Sequence, residues 1–401
     1  MSDGGGERSG LEVLRDACAS PWVVASRWRE AGGRVVGLVG ASAPRELVLA
    51  AGMLPIRVNP ERLRGDDATE GVAAESRERF ADELAGLEGE LPAPQLAVVA
   101  ALLAGDLDWI DGLLIGRDTE AHTKLFYVLR EMAADPGFGP LIPWFGFSDT
   151  LRLPTRTSAV YNRRQLRILQ LTIAHWGQVA DSAAALHAAI ATEVALGGSL
   201  RQLEHLCAEN RLSGQELFIA RAGARVLPPE EAMAALRAAA SEAEARHVAP
   251  ERTRVFLTGS EPNVEVYEII EAAGLHVVGD DHGDDLAEPD GTGSDTIDWL
   301  ADRYQFSMVG AARAGLDRVA STVARAQSVE ADVVVQLLAP TDVASEWELT
   351  ELRELLPGTP VLTARMEPGA EDGSLRQLVS ELAGGAEGAV APTVVGEASD
   401  V

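Results

Sequence analysis

The sequence predicts an α/β fold of two parallel-sheet domains joined by a helical segment. Three observations carry this. Short runs rich in Val, Leu and Ile recur as RVVGLVG (34–40), DGLLIG (111–116), RVFLTGS (254–260) and DVVVQLL (332–338), bounded by Gly or polar residues. Continuous apolar runs of that length suit strands buried on both faces, as parallel strands are. Helical patterns separate the runs, which is the alternation of a parallel sheet. Between the two groups, residues 156–246 read as helix throughout.

The elements follow in order. Residues 1–10 are rich in Gly, Ser and charge and are expected to be disordered. Residues 11–31 read as one or two helices. RVVGLVG is the first strand. Pro44 and Glu46 then suit a helix start, and Gly52 ends the run ELVLAAG. MLPIRV (53–58) reads as the next strand, and residues 61–109 as mostly helical. After DGLLIG come a polar loop, a helix near 121–134 and a fourth strand, PLIPWFGF (140–147). In the helical segment, RRQLRILQLTIAHWGQVA has apolar residues near i, i+3, i+4 and i+7. Ser182, Ser199 and Ser213 are plausible caps of successive helices. The alternation then resumes: strand 254–260, helix 264–274, strand 275–281, two helices over 294–328, strand 332–338, helix 345–356 and strand 360–366. The expected domains are 34–155 and 249–384, with N-terminal helices in 1–33, a helical segment at 156–248 and a disordered tail at 385–401. In such sheets ligands gather at the C-terminal ends of the strands. The loops to watch are 40–44, 116–122, 147–153, 259–263, 280–290 and 339–344.

Composition narrows function. Lys and Arg number 34 and Asp and Glu 62, so the formal net charge is −28. A phosphate backbone is repelled by such a chain, which argues against nucleic acid. An anionic ligand needs a local basic cluster. No apolar run reaches the roughly 18–20 residues of a membrane span, and the start MSDGGGERSG has no apolar signal core. A cytoplasmic location is expected. Cys18 and Cys207 are too few for a disulfide framework or a self-contained thiolate metal site. The seven histidines show no ligand spacing, and no P-loop or GxGxxG fingerprint is present.

Three segments carry a family resemblance. GLVGASAPRELVLAAGMLPIRV (37–58) is similar to a Gly-x-x-Cys-x-x-x-Pro-x-Glu-Leu signature, with Gly37, Pro44, Glu46, Leu47, Gly52, Pro55 and Arg57 matching. DGLLIGRDTEAHTKLFYVLRE resembles a second, through Asp111 and Gly112. ADVVVQLLAPTDVASEWELTELRELLPGTPVL resembles a third, through Asp342. Together, over about residues 34–366, they resemble the 2-hydroxyacyl-CoA dehydratase / benzoyl-CoA reductase family. The resemblance implies two flavodoxin-like domains.

It also implies three cysteines that bind a 4Fe–4S cluster passing an electron to a CoA thioester. Those cysteines fall here on Gly40, on or very near Thr119, and on Thr341. Glycine offers no ligand, and a threonine hydroxyl is hard and protonated, so neither replaces a thiolate. No metal is therefore expected in this chain. The resemblance further implies a partner, because family enzymes pair two homologous subunits. The leading expectation is a cluster-free subunit beside a homologous cysteine-bearing subunit that holds the 4Fe–4S group. A stand-alone acyl-CoA or small-ligand binding protein or regulator, and a cluster-independent enzyme, remain as alternatives.

Candidate catalytic residues are Glu46, a carboxylate beside the first loop that can accept a proton, and Ser42, which can hydrogen-bond a thioester carbonyl. Both also suit purely structural roles, as a helix-start carboxylate and a turn serine. Candidate ligand-binding residues are Arg57 and Arg117 for phosphate or carboxylate. Gly259, Ser260 and Asn263 join them, as a strand-to-helix turn that can offer N–H groups. Lys124, Arg152 and Arg156 are further basic groups near these loops, and Trp144 and Phe147 are candidate pocket walls.

Overall fold

The computed structural model describes residues 8–58, 80–138, 144–282, 296–306, 316–340, 342–366 and 373–385. The first sheet is formed by β1 (Val35–Val39), β2 (Leu54–Arg57), β3 (Gly112–Gly116) and β4 (Phe145–Ser148), in the order β2-β1-β3-β4 and all parallel. The second has β5 (Arg254–Gly259), β6 (His276–Asp280), β7 (Val333–Leu338) and β8 (Val361–Arg365), in the corresponding order β6-β5-β7-β8, again all parallel. The fold class read from the sequence is the one observed. Each sheet reverses its strand order once, between β1 and β3 and between β5 and β7. In sheets of this order such points are where a crevice at the strand C-terminal ends is expected.

Fifteen helices lie among the described residues. The chain opens with α1 (Gly10–Ala19) and α2 (Pro21–Glu30), and α3 (Arg45–Ala50) follows β1. Next come α4 (Ala81–Leu87), α5 (Ala93–Ala104) and α6 (Glu120–Ala134). The helical segment contains α7 (Arg156–Gly177), α8 (Ala183–Ala208), α9 (Gly214–Ala224) and α10 (Pro229–Glu244). The rest are α11 (Val264–Ala272), α12 (Thr296–Phe306), α13 (Leu316–Ser328), α14 (Val343–Leu355) and α15 (Gly373–Gly385).

Several boundaries differ from the sequence reading. The fourth strand is confined to Phe145–Ser148 among the described residues, and much of the stretch 61–109 falls outside them. Ser182 and Ser213 cap α8 and α9 as expected, each accepting from the backbone N–H three residues on. Ser199 caps nothing. Its hydroxyl donates to the Ala195 carbonyl inside α8, so the helix runs through it. The C-terminal helix α15 was not anticipated. The expected disordered ends lie largely outside the described residues.

One face of the first sheet packs against α1, α5, α6 and helices α8 to α10. The other packs against α3, α7 and α12, with Leu300, Ala301 and Tyr304 of α12 beside Leu166, Leu169 and Ile173 of α7. Thus α12, which follows β6 in the chain, packs on the first sheet's layer. The second sheet is covered by α11 and α15 on one face and by α13 and α14 on the other.

The expectation that no segment could span a membrane is corrected at α8. Its 26 residues are long and apolar enough by length and composition alone. In the fold, α8 is a central helix that packs against α3, α10 and β6. It also carries a buried carboxylate, Glu193. Arg45 of α3 and Arg225, just after α9, both pair with Glu193, and all three side chains are 5–6% exposed. Burial alone would raise the Glu193 carboxyl. Arg45 and then Arg225 outweigh it and hold the group below its ordinary value.

This triad is expected to govern acid stability. Glu193→Gln removes the buried carboxylate that both guanidinium groups share and should cost about 3–5 kcal/mol in urea unfolding. Because the folded carboxyl titrates below its unfolded value of about 4.3, its contribution is full above that pH. The contribution is lost as pH falls through the lower folded value. The variant's acid limb should therefore be flatter than that of the native chain.

Candidate functional site

The crevice of the first domain is organised by Asp118, one residue before Thr119 in the β3–α6 loop. Its carboxylate accepts from the backbone N–H groups of Ala41 and Ser42 in the β1–α3 loop, the latter at 3.0 Å. Arg152, from the β4–α7 loop, donates to Asp118 Oδ1 at 2.6 Å and to the carbonyls of Asp118 and Arg117 at 2.9 and 2.8 Å. Both side chains are largely buried, at 13% exposure for Arg152 and 7% for Asp118. One carboxylate and one guanidinium thus tie together the loops that follow β1, β3 and β4. A charged donor–acceptor pair with two further N–H donors is among the stronger polar arrangements available to a chain.

Gly40 explains why this is possible. Its φ is +83°, in the left-handed region, and a Cβ built on it would lie 2.3 Å from Asp118 Oδ2. The space a side chain at 40 would need is filled by the Asp118 carboxylate.

Next to this pair stands His122, on the first turn of α6. Its Nε2 lies 3.3 Å from Gln95 Nε2 and its Nδ1 lies 3.3 Å from Thr119 Oγ1. Burial pushes the imidazole below its ordinary pKa. Asp118 opposes that shift, Arg152 and Arg57 reinforce it, and Glu261 opposes it. Glu261 belongs to the β5–α11 loop of the second domain. The rims of the two crevices therefore lie within electrostatic reach of each other, with His122 and Arg57 on one side and Glu261 on the other.

The second rim repeats the plan with different partners. Gly259 has φ +93°, and a Cβ there would meet the Leu337 carbonyl at 2.3 Å. The Ser260 N–H donates to that carbonyl, and the Ser260 hydroxyl donates to Asp342 at 2.7 Å and accepts from the Ala339 N–H. Asp342 caps α14 through Ser345. Burial would raise its carboxyl, but hydrogen bonds from Ser345 and Ser260, with Arg318 nearby, bring it below the ordinary value. Asn263 caps α11 by accepting from Val266 N–H.

At the end of β6, Asp280 pairs with Arg221 and accepts from Tyr267, while Asp281 accepts from Thr258 and Thr322. His282 lies within 3.7 Å of Asp280 and 3.9 Å of Asp281. Burial lowers its pKa, but Asp280 and Asp281 outweigh that and raise it.

The anticipated site residues separate into groups. Gly40, Ser42 and Thr119 come together around Asp118. The Ser42 side chain is fully buried, and its hydroxyl finds no hydrogen-bond partner among the described residues. Glu46 is 1% exposed and belongs to a different neighbourhood. Its carboxylate accepts from Tyr304 of α12 at 2.7 Å and pairs with Arg303 at 3.3 Å. Arg57 sits at the end of β2, half-buried beside His122. Arg117 is paired with Asp149 at 2.6 Å. Gly259, Ser260 and Asn263 form the second rim, where the Ser260 N–H is already satisfied internally. Thr341 lies outside the described residues. Trp144 stacks on Trp176 and Phe147 on Phe126, so both serve packing.

Asp118, His122 and Glu261 were missed. Asp118 stands in the loop of the second signature, His122 on the helical turn that follows it and Glu261 within 259–263, so their positions were visible although their roles were not.

An α/β protein with two like-ordered parallel sheets, their crevices within reach of one another, is the class these features define. Comparison with family models identifies it further. Residues 41–381 match the family described as 2-hydroxyglutaryl-CoA dehydratase, D-component. The chain belongs to this family. Comparison with curated proteins gives no match.

The resemblance read from the sequence implies an iron–sulfur cluster, and the residues at the assigned positions do not fit thiolate ligation. Gly40 has no side chain and no room for one. Thr119 is exposed and engages His122. Cys207 is fully buried in α8, donates to the Val277 carbonyl, and is pushed well above the ordinary thiol range by burial. Cys18 is in α1, which packs against α9 and α10.

The steric conflict at Gly40 can be measured. Gly40→Cys should destabilise the native chain by about 2–4 kcal/mol, from positive-φ strain and the clash with Asp118. Asp118→Gly alone should cost about 3 kcal/mol. The double variant should cost less than the sum by at least about 1 kcal/mol, since the residues compete for one space. Strict additivity in urea unfolding would show that they do not.

Proposed function

We propose that this chain is a cluster-free component of a dehydratase-type heterodimer. In this reading it supplies the walls of an acyl-CoA cleft between the two crevice rims, in the cytoplasm. A homologous subunit with three cysteines carries the 4Fe–4S cluster. The observation that carries the reading is the state of the first loop. The strand–loop–helix frame around Gly40 is intact, yet a salt-bridged carboxylate occupies the space of the ligand side chain. A chain with no remaining role would have no reason to keep that frame so closely tied.

Family membership supports a role as one component of a larger assembly. Arg57 and Arg152 supply positive charge beside His122 and offset Asp118 and Glu261 there, which suits a polarised, uncharged ligand group. The acidic chain as a whole does not attract anions, so any binding of CoA is local.

Purification of the native protein from its source, with light scattering and iron analysis, tests this. The expected result is a complex with a homologous, cysteine-bearing chain in which iron follows the partner. A monomer that brings down no homologue would overturn it, as would about four irons per chain in the isolated protein.

A further inference from the structure

The β3–α6 loop contains a hydrogen-bond relay that ends in one exposed donor. Thr119 occupies the N-cap position of α6, where a threonine ordinarily accepts from the first-turn N–H groups. Here it makes no such bond. Its hydroxyl turns to His122 Nδ1 instead, at 3.3 Å. The other ring nitrogen faces the Gln95 amide nitrogen, which can only donate. The tautomer that satisfies both contacts has its hydrogen on Nδ1. Gln95 then donates to Nε2, Nδ1–H donates to Thr119 Oγ1, and the Thr119 O–H is left to donate outward. Burial keeps the ring neutral, so the relay has this direction near neutral pH. Donor chains of this kind polarise their last member.

We propose that the Thr119 hydroxyl, oriented by His122, is the hydrogen-bond donor to the carbonyl oxygen of an acyl thioester in the cleft. This rests on the acyl-CoA reading above and names the group that recognises the acyl end. Thr119 is exposed at the C-terminal end of β3, beside the point where the strand order reverses. The charges that reach His122 are two of each sign, Asp118 and Glu261 against Arg152 and Arg57. Arg152 is already paired with Asp118, so the surroundings offer an anion no net positive charge. A carbonyl oxygen needs only one neutral donor, which the Thr119 hydroxyl supplies. Thr119 is a binding residue in this scheme, and His122 and Gln95 are positioning residues.

The test uses the full-length protein and two probes that differ only at the carbonyl, acetyl-CoA and the thioether S-ethyl-CoA. Isothermal titration should show acetyl-CoA binding about five- to tenfold more tightly, as expected for one well-placed neutral hydrogen bond. Thr119→Val should erase that preference and leave S-ethyl-CoA affinity unchanged, while Thr119→Ser retains it. His122→Asn keeps a donor near the Nδ1 position and should preserve part of the preference, whereas His122→Leu should lose most of it. An unaltered preference in Thr119→Val, or none in the native chain, overturns the assignment and leaves the acyl-CoA reading standing. If neither probe binds the native chain, the acyl-CoA reading fails and takes the assignment with it.

Discussion

The arrangement of the first crevice depends on the carboxylate of Asp118. It receives two backbone N–H groups from one loop and a guanidinium from another, while its own backbone anchors a third. Strand-end loops at a crevice are held by little else, because their backbone groups have left the sheet ladder and must find other partners. Asp118 and Arg152 satisfy several of these at once, with 7% and 13% of their side chains exposed. Breaking this pair would cost more than breaking a surface ion pair, because the remaining charge would be left shielded from water without its partner.

Around that pair, the rest of the first domain is braced by elements distant in the chain. Asn162 of α7 holds both the N–H and the carbonyl of Leu151, next to Arg152. Gln305 of α12 donates to the Leu153 carbonyl in the same loop. Tyr304 and Arg303, also of α12, hold Glu46 at the start of α3. The helix α12 therefore clamps two of the three loops joined by Asp118. Any rearrangement of α12 would be felt at the crevice through Gln305 and Glu46. That gives the second half of the chain a physical route to the first.

The two domains use the same strand order but spend their polar groups differently. In the second, Ser260, Asp342 and Ser345 close the rim with neutral donors and one carboxylate, and Arg318 and Glu348 extend the network. The first rim keeps an exposed hydroxyl and a neutral imidazole at the crevice. This difference makes the β3–α6 loop the chemically interesting one, although both loops carry a signature.

Much of the fold was legible in the sequence. The apolar runs at 34–40, 111–116, 254–260 and 332–338 are strands because a parallel strand is buried on both faces and its composition says so directly. The helical segment was legible for the same local reason, and so were the caps Ser182 and Ser213. Ser199 misled because a serine mid-helix can bond back to its own helix. The position of each loop at a strand end was legible too, and with it the family. What occupies the loops was decided by tertiary structure. Ala41 and Ser42 meet Asp118 across about 76 residues of chain, and Tyr304 meets Glu46 across 258. No periodicity encodes such contacts, since they arise only when the sheet brings its strand ends side by side. Thr119 and His122 are three residues apart and plainly visible, yet Gln95, which meets the other ring nitrogen, comes from another helix. Local pattern specified the frame, and the close packing of remote polar groups determined which residues in it are spoken for and which remain open.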